Sequence, residues 1–171
     1  SSSHTRAVFA GGNNPDPSDT IDYVTISTVG NAADFGNLTV ARRQGGSASS
    51  TTRVVFAGGR STPSPIVDSN VMDYITIASE GNGIDFGNLT IVKNSFGSAS
   101  SSTRGLFAGG ATSTPTTNST NVIDYIQIST LGDALDFGDL TNERTVSGGI
   151  SSPTRGVFGA GDDYAAPAWT G

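Results

Sequence analysis

Cysteine is absent from this 171-residue chain, which excludes a disulfide framework, a thiolate metal site and a cysteine nucleophile. Histidine occurs once, as His4, and lysine once, as Lys93, so the usual acid–base and nucleophilic constellations lack their parts. The Ser-x-Asp-x-Gly-x-Thr-Trp signature of sialidase blades is missing, and the tyrosine–cysteine crosslink of a copper-radical oxidase cannot form. No enzyme activity is expected, and no cofactor or metal site. Positive charge is scarce as well: nine Lys and Arg stand against fifteen Asp and Glu, a net charge of −6. Nucleic-acid binding needs clustered basic residues, so no nucleic-acid partner is expected. No run approaches the roughly eighteen apolar residues of a membrane-spanning helix, and the first residues show no charged-then-apolar leader, so neither membrane insertion nor a targeting segment is expected. Helix is equally unsupported, because no segment repeats apolar residues at helical spacing over three turns.

Glycine, at 23 residues, is abundant, and short β-branched and aromatic runs bounded by Gly, Ser, Thr, Asn and Pro fill the chain. Those runs repeat. Thr5-Arg6-Ala7-Val8-Phe9-Ala10-Gly11-Gly12 recurs at Thr52–Gly59, Thr103–Gly110 and Thr154–Gly161, the last with Gly159-Ala160-Gly161 in place of Ala-Gly-Gly. Ile21-Asp22-Tyr23-Val24-Thr25-Ile26 returns around Asp73-Tyr74 and Asp124-Tyr125. Asp34-Phe35-Gly36-Asn37-Leu38-Thr39 returns around Phe86-Gly87 and Phe137-Gly138. The interval from the repeat Asp to the following Phe is the same in all three units, from Asp22 to Phe35, Asp73 to Phe86 and Asp124 to Phe137. So is the interval from that Phe to the next repeat Arg, from Phe35 to Arg53, Phe86 to Arg104 and Phe137 to Arg155. Only the connection after Gly-Gly varies, being shorter from Gly12 to Asp22 than from Gly59 to Asp73 or Gly110 to Asp124, which match each other. Insertions that collect at one place in every repeat mark loops on one common face.

Four strands are expected per unit: a Ser-rich run ending at Ser49, Ser100 or Ser152, the Arg-to-Phe run stopped by Gly-Gly, the alternating Asp-Tyr run, and the Phe-Gly-Asn/Asp-Leu-Thr segment. Gly36, Gly87 and Gly138 are read as points of close backbone approach. The predicted fold is all-β, with tandem four-stranded units of about 50 residues, the dimension of a propeller blade. The repeat domain covers residues 1–161, with units at about 5–51, 52–102 and 103–153 and a partial unit at 154–161; residues 162–171 form a non-repeat tail. Three units plus one extra strand do not close a ring of the usual four to eight blades, so completion by oligomerisation or by further chain is expected, and a homo-oligomer with it.

The order of Gly-Gly, Tyr, large aromatic and basic residue resembles the kelch repeat. It runs Gly11-Gly12, Tyr23, Phe35, Arg42; then Gly58-Gly59, Tyr74, Phe86, Lys93; then Gly109-Gly110, Tyr125, Phe137, Arg144. Kelch units usually carry Trp where this chain has Phe. The wording of the units is similar to repeats in virion structural and tail-fibre-like proteins of tailed phages of aquatic bacteria, cyanobacteria especially. That resemblance implies a virion-associated or extracellular protein that contacts a host surface or another virion part.

Residues present in every unit are read as scaffold: Arg6, Arg53, Arg104 and Arg155 pairing with a carboxylate or carbonyl; Asp22, Asp73 and Asp124; Tyr23, Tyr74 and Tyr125; and Phe35, Phe86 and Phe137. Specificity is expected in the variable loops 13–20, 60–70 and 111–121, with Asp16, Asp19, Arg60, Asp68 and Asn118 as candidates, and at Trp169 in the tail. Asp16 and Asp19 beside Pro15 and Pro17 read as a turn rather than a calcium site. Glycosylation triplets at Asn37, Asn88 and Asn118 read as turn positions, since Asp139 replaces the Asn in the third unit. The function expected is a structural or binding module whose partners are other virion or surface proteins or a host glycan; a propeller-type lectin is the alternative, and a polysaccharide-acting enzyme the third.

Overall fold

A computed structural model of the chain describes residues 5–61, 67–112, 118–146 and 148–163. The described residues form strands, turns and connections, with no helix among them, in a series of small antiparallel sheets. The first sheet has three strands, β1 (Arg6–Ala10), β2 (Ser18–Thr25) and β3 (Ala33–Arg42). The second opens with β4 (Gly46–Ser49) and β5 (Arg53–Ala57), makes a side hairpin of β6 (Arg60–Ser61) and β7 (Val67–Asp68), and closes with β8 (Val71–Thr76) and β9 (Ile84–Asn88). The third repeats this as β10 (Gly97–Ser100), β11 (Arg104–Ala108), the hairpin β12 (Ala111–Thr112) and β13 (Asn118–Ser119), then β14 (Val122–Gln127) and β15 (Leu135–Asp139). A last pair, β16 (Gly148–Ser151) and β17 (Gly156–Gly159), begins a fourth.

The complete sheets run in the order β4-β5-β8-β9 and β10-β11-β14-β15, each strand beside its sequence neighbour once the hairpin is set aside. Short local connections favour this meander. In all three large sheets the register slips at the same place, between Ile21 and Asp22, Met72 and Asp73, and Ile123 and Asp124. Opposite the slip sits Gly36, Gly87 or Gly138, each at positive φ. A bulge turns a side chain off the regular alternation. Here it lets Met72 and Asp73, successive in sequence, both be buried.

The core lies between sheets. Val54, Phe56, Ile75 and Ile77 of the second sheet meet Val8, Ile21, Phe35 and Leu38 of the first. From its other face, Val55, Ala57, Met72, Phe86 and Leu89 meet Phe107, Ile126, Ile128 and Ala134 of the third. The middle sheet is thus apolar on both sides, which is why its strands read Val-Val-Phe-Ala rather than as a clean alternation. Burying a phenylalanine such as Phe86 contributes about 2–3 kcal/mol.

Candidate functional site

The side chains that make the repeat visible converge on the seams between units. At the first seam Asp73, wholly buried, accepts from the Thr39 hydroxyl and pairs with the Arg42 guanidinium of the preceding unit. Arg42 also donates to the Val71 carbonyl at 2.6 Å, and burial pulls its pKa down to about 10. At the second seam the same arrangement is built with lysine: Lys93 Nζ lies 2.8 Å from Asp124 and donates to the carbonyls of Phe107 at 2.9 Å and Val122 at 3.2 Å, while Thr90 bonds Asp124. Burial lowers the Lys93 pKa and the Asp124 charge opposes that shift. A buried ion pair needs further hydrogen bonds to its remaining donors; strand carbonyls supply them to Lys93 Nζ and to Arg42 Nη1, while Arg42 Nε is buried without a hydrogen-bond partner.

Above each ion pair the backbones meet. Gly81 N–H donates to Phe35 O and Gly83 N–H to Asn37 O, at 2.8 and 2.7 Å; Gly132 and Ala134 make the same bonds to Phe86 and Asn88, both at 2.8 Å. The Asn82 and Asp133 side chains accept from the backbone N–H of Asn37 and Asn88. A Cβ on Gly87 would stand 2.5 Å from the Gly132 carbonyl oxygen, so the approach requires glycine. The repeat arginines close the outer edge. Arg6 donates to Ile77 O at 2.8 Å and Arg53 to Ser129 O at 3.0 Å, each stacked on its own unit's tyrosine, with 4.5 Å from Arg6 to the Tyr23 ring and 4.7 Å from Arg53 to Tyr74. Tyr23, Tyr74 and Tyr125 pack edge-on against Phe35, Phe86 and Phe137. Tyr23 also donates to Glu80 at 2.7 Å, which, with burial and the Glu80 charge, raises its pKa.

The variable positions sit elsewhere. Arg60 and Asp68, named from sequence as binding candidates, turn to each other across the β6–β7 hairpin at 3.1 Å, with the Asp68 carboxylate buried and also bonded by Asn94 at 2.9 Å. Their charges are therefore engaged in building the hairpin. Asp16, Asp19 and Asn118 are exposed, Asn118 in β13 opposite Thr112. No group of three His, Cys, Asp or Glu side chains able to hold a metal ion occurs among the described residues. Trp169 and His4 lie outside the described residues, as do loop segments 62–66 and 113–117. At the glycosylation triplets, Thr39 and Thr90 donate to the seam aspartates and Leu38 and Leu89 are buried, so these residues belong to the seams.

Two clefts open beside the seams. A cleft of about 330 Å³ lies beside Val8, Phe9 and Arg42, where Gly45 stands at the position filled one unit later by Phe96. Another, of about 270 Å³, lies between the third sheet and β17, lined by Arg104, Leu106, Phe137, Ser101, Thr154 and Arg155 among others. Sequence reasoning placed the repeat Arg, Asp, Tyr and Phe as scaffold but did not single out Arg42, Lys93, Thr39 and Thr90 as seam partners. Their signal was a Thr and a basic residue recurring at a fixed interval after each repeat Asp: Thr39 and Arg42 after Asp22, Thr90 and Lys93 after Asp73, Thr141 and Arg144 after Asp124. What the fold and site define is a tandem-repeat all-β protein held together by buried inter-unit ion pairs. Compared with protein-family models and with curated proteins, the chain matches none.

Proposed function

We propose that the protein is a non-enzymatic structural or binding module, built of kelch-like, propeller-type blades and carried on a virion or another extracellular surface. The observation that supports this is the engagement of the recurring Arg, Asp, Thr and Tyr side chains in unit-to-unit bonds, which leaves sequence variation to the hairpins after Gly-Gly. Loops on a rigid scaffold are where recognition resides. The virion setting rests on the similarity of the repeat wording to phage appendage proteins.

The alternative of a glycan-binding module has one feature in its favour: Phe137, 51% exposed, stands beside Arg104 and the hydroxyl-bearing residues Ser101 and Thr154 in the 270 Å³ cleft. Incubation of the purified protein with bacterial envelope polysaccharides tests both readings. No new reducing ends are expected. Release of reducing ends that scales with protein and is lost in Arg104→Ala would overturn the non-enzymatic reading, whereas retention of glycan without turnover would favour the lectin.

A further inference from the structure

The described sheets build one kind of seam twice, and two further faces carry its unmatched halves. On the leading face of the first sheet stand Phe9, Ile26 and Val29, exposed to 59%, 53% and 103%, whereas the equivalents of Phe9 and Ile26 one unit later, Phe56 and Ile77, are at 7% and 3%. On the trailing face of the third sheet Phe137 is 51% exposed, against 3% for Phe35 and 2% for Phe86. Gly138 keeps the positive φ of Gly36 and Gly87, yet a Cβ there would meet nothing within 4 Å. Arg104 stacks on Tyr125, as Arg53 does on Tyr74, but donates to no carbonyl of a following unit among the described residues. Neither Asp22 nor Arg144 has an ion pair among the described residues, whereas their counterparts Asp73 and Asp124, Arg42 and Lys93 are all paired.

We infer that the leading face of one copy docks on the trailing face of another, head to tail, making a third seam of the same design. The occupant is a second copy because each half is complementary to the other residue by residue. Asp22 meets Arg144 as Asp73 meets Arg42, the Gly30-Asn31 turn seats on Phe137-Gly138 as Gly81-Asn82 seats on Phe35-Gly36, and Arg104 gains the carbonyls of Ile26 and Ser27. The 270 Å³ cleft is the seat that Val24 and Ile26 fill, since at the internal seam the same place is held by Ile126 and Ile128, 3% and 1% exposed. The incoming β1 falls where β17 now lies. The two strands share their sequence pattern, and β17, with Val157 56% exposed, is weakly held, so β1 takes its place beside β16. The inference rests on reading the repeat residues as scaffold. A head-to-tail contact closes into a ring or extends into a filament according to its rotation.

Sedimentation velocity on the full chain over a wide concentration range tests this, with Asp22→Arg and Arg144→Asp as variants and circular dichroism to confirm that each folds. Wild type is expected to associate, to a discrete mass if the ring closes or to a ladder if it does not. Either variant alone is expected to lose about 100-fold in association constant, because it places like charges in the buried seam. Mixed in equal amounts, the variants set opposite charges at every contact between unlike copies, native at one and exchanged at the next, and are expected to recover the association that neither shows alone. A wild type that stays monomeric throughout overturns the inference and assigns these faces to another partner, leaving the non-enzymatic reading, which turns on polysaccharide turnover, untouched. Folded variants that associate as well as wild type overturn it too, by placing the contact elsewhere.

Discussion

Lys93 shows what a single side chain carries. It is wholly buried, and it holds the Asp124 carboxylate together with two strand carbonyls. Lys93→Met leaves a buried carboxylate without its counter-charge and is expected to cost about 3–5 kcal/mol in urea unfolding. Lys93→Arg is expected to cost far less, because in the preceding seam Arg42 pairs with the equivalent aspartate and donates to the equivalent carbonyl, that of Val71. Tyr23 gives a pH signature. Its pKa lies above the ordinary 10.0, chiefly through the hydrogen bond to Glu80. Since the folded value exceeds the unfolded one, the stabilisation is complete below pH 10 and is lost as pH rises through the raised value. A tyrosinate absorbance titration is expected to show a component above pH 10 that disappears in Tyr23→Phe and moves downward in Glu80→Ala. The recurrence of Asp73 and Arg42 was legible in the sequence, but their pairing was not. A period shows that a basic residue follows every aspartate without showing which copy bonds which, and Asp22 with Arg42 would have satisfied the pattern equally well.

At the scale of the element, the bulge and the glycine opposite it work as one device. The bulge swings Asp73 into the seam with the preceding unit, and Gly87 opposite it lets the following unit's turn close on the other seam. Gly87→Ala forces that turn away and, at concentrations where the chain is monomeric, is expected to destabilise it several-fold more than Gly138→Ala, where only the positive φ is penalised, at about 1–3 kcal/mol. Paired thermal melts read the difference. The four strands and the close-approach glycines follow from the sequence because turn residues and short β-branched runs act locally. The bulge does not, since Ile-Asp-Tyr-Val alternates on paper and only the partner strand decides where the register slips. The pairing of Arg60 with Asp68, which sequence placed among the binding candidates, was hidden for a related reason: they lie in a variable connection, where only the hairpin's register brings them together.

For the whole molecule, stability is a sum of units and seams, as in other linear arrays. The middle sheet has seams on both faces, the third has one seam and a two-stranded neighbour, and the first has one. Amide hydrogen exchange is therefore expected to be slowest in β5 and β8 and fastest in β17, and Lys93→Met is expected to speed exchange in the third unit before the first. Both seam ion pairs reach forward along the chain by the same interval, from Arg42 to Asp73 and from Lys93 to Asp124. During synthesis each cation therefore waits for its carboxylate for a fixed time, about two to six seconds at ordinary translation rates of about 5–20 residues per second. Each of these two seams can thus lock in turn from the amino-terminal side, as soon as its own aspartate has been made.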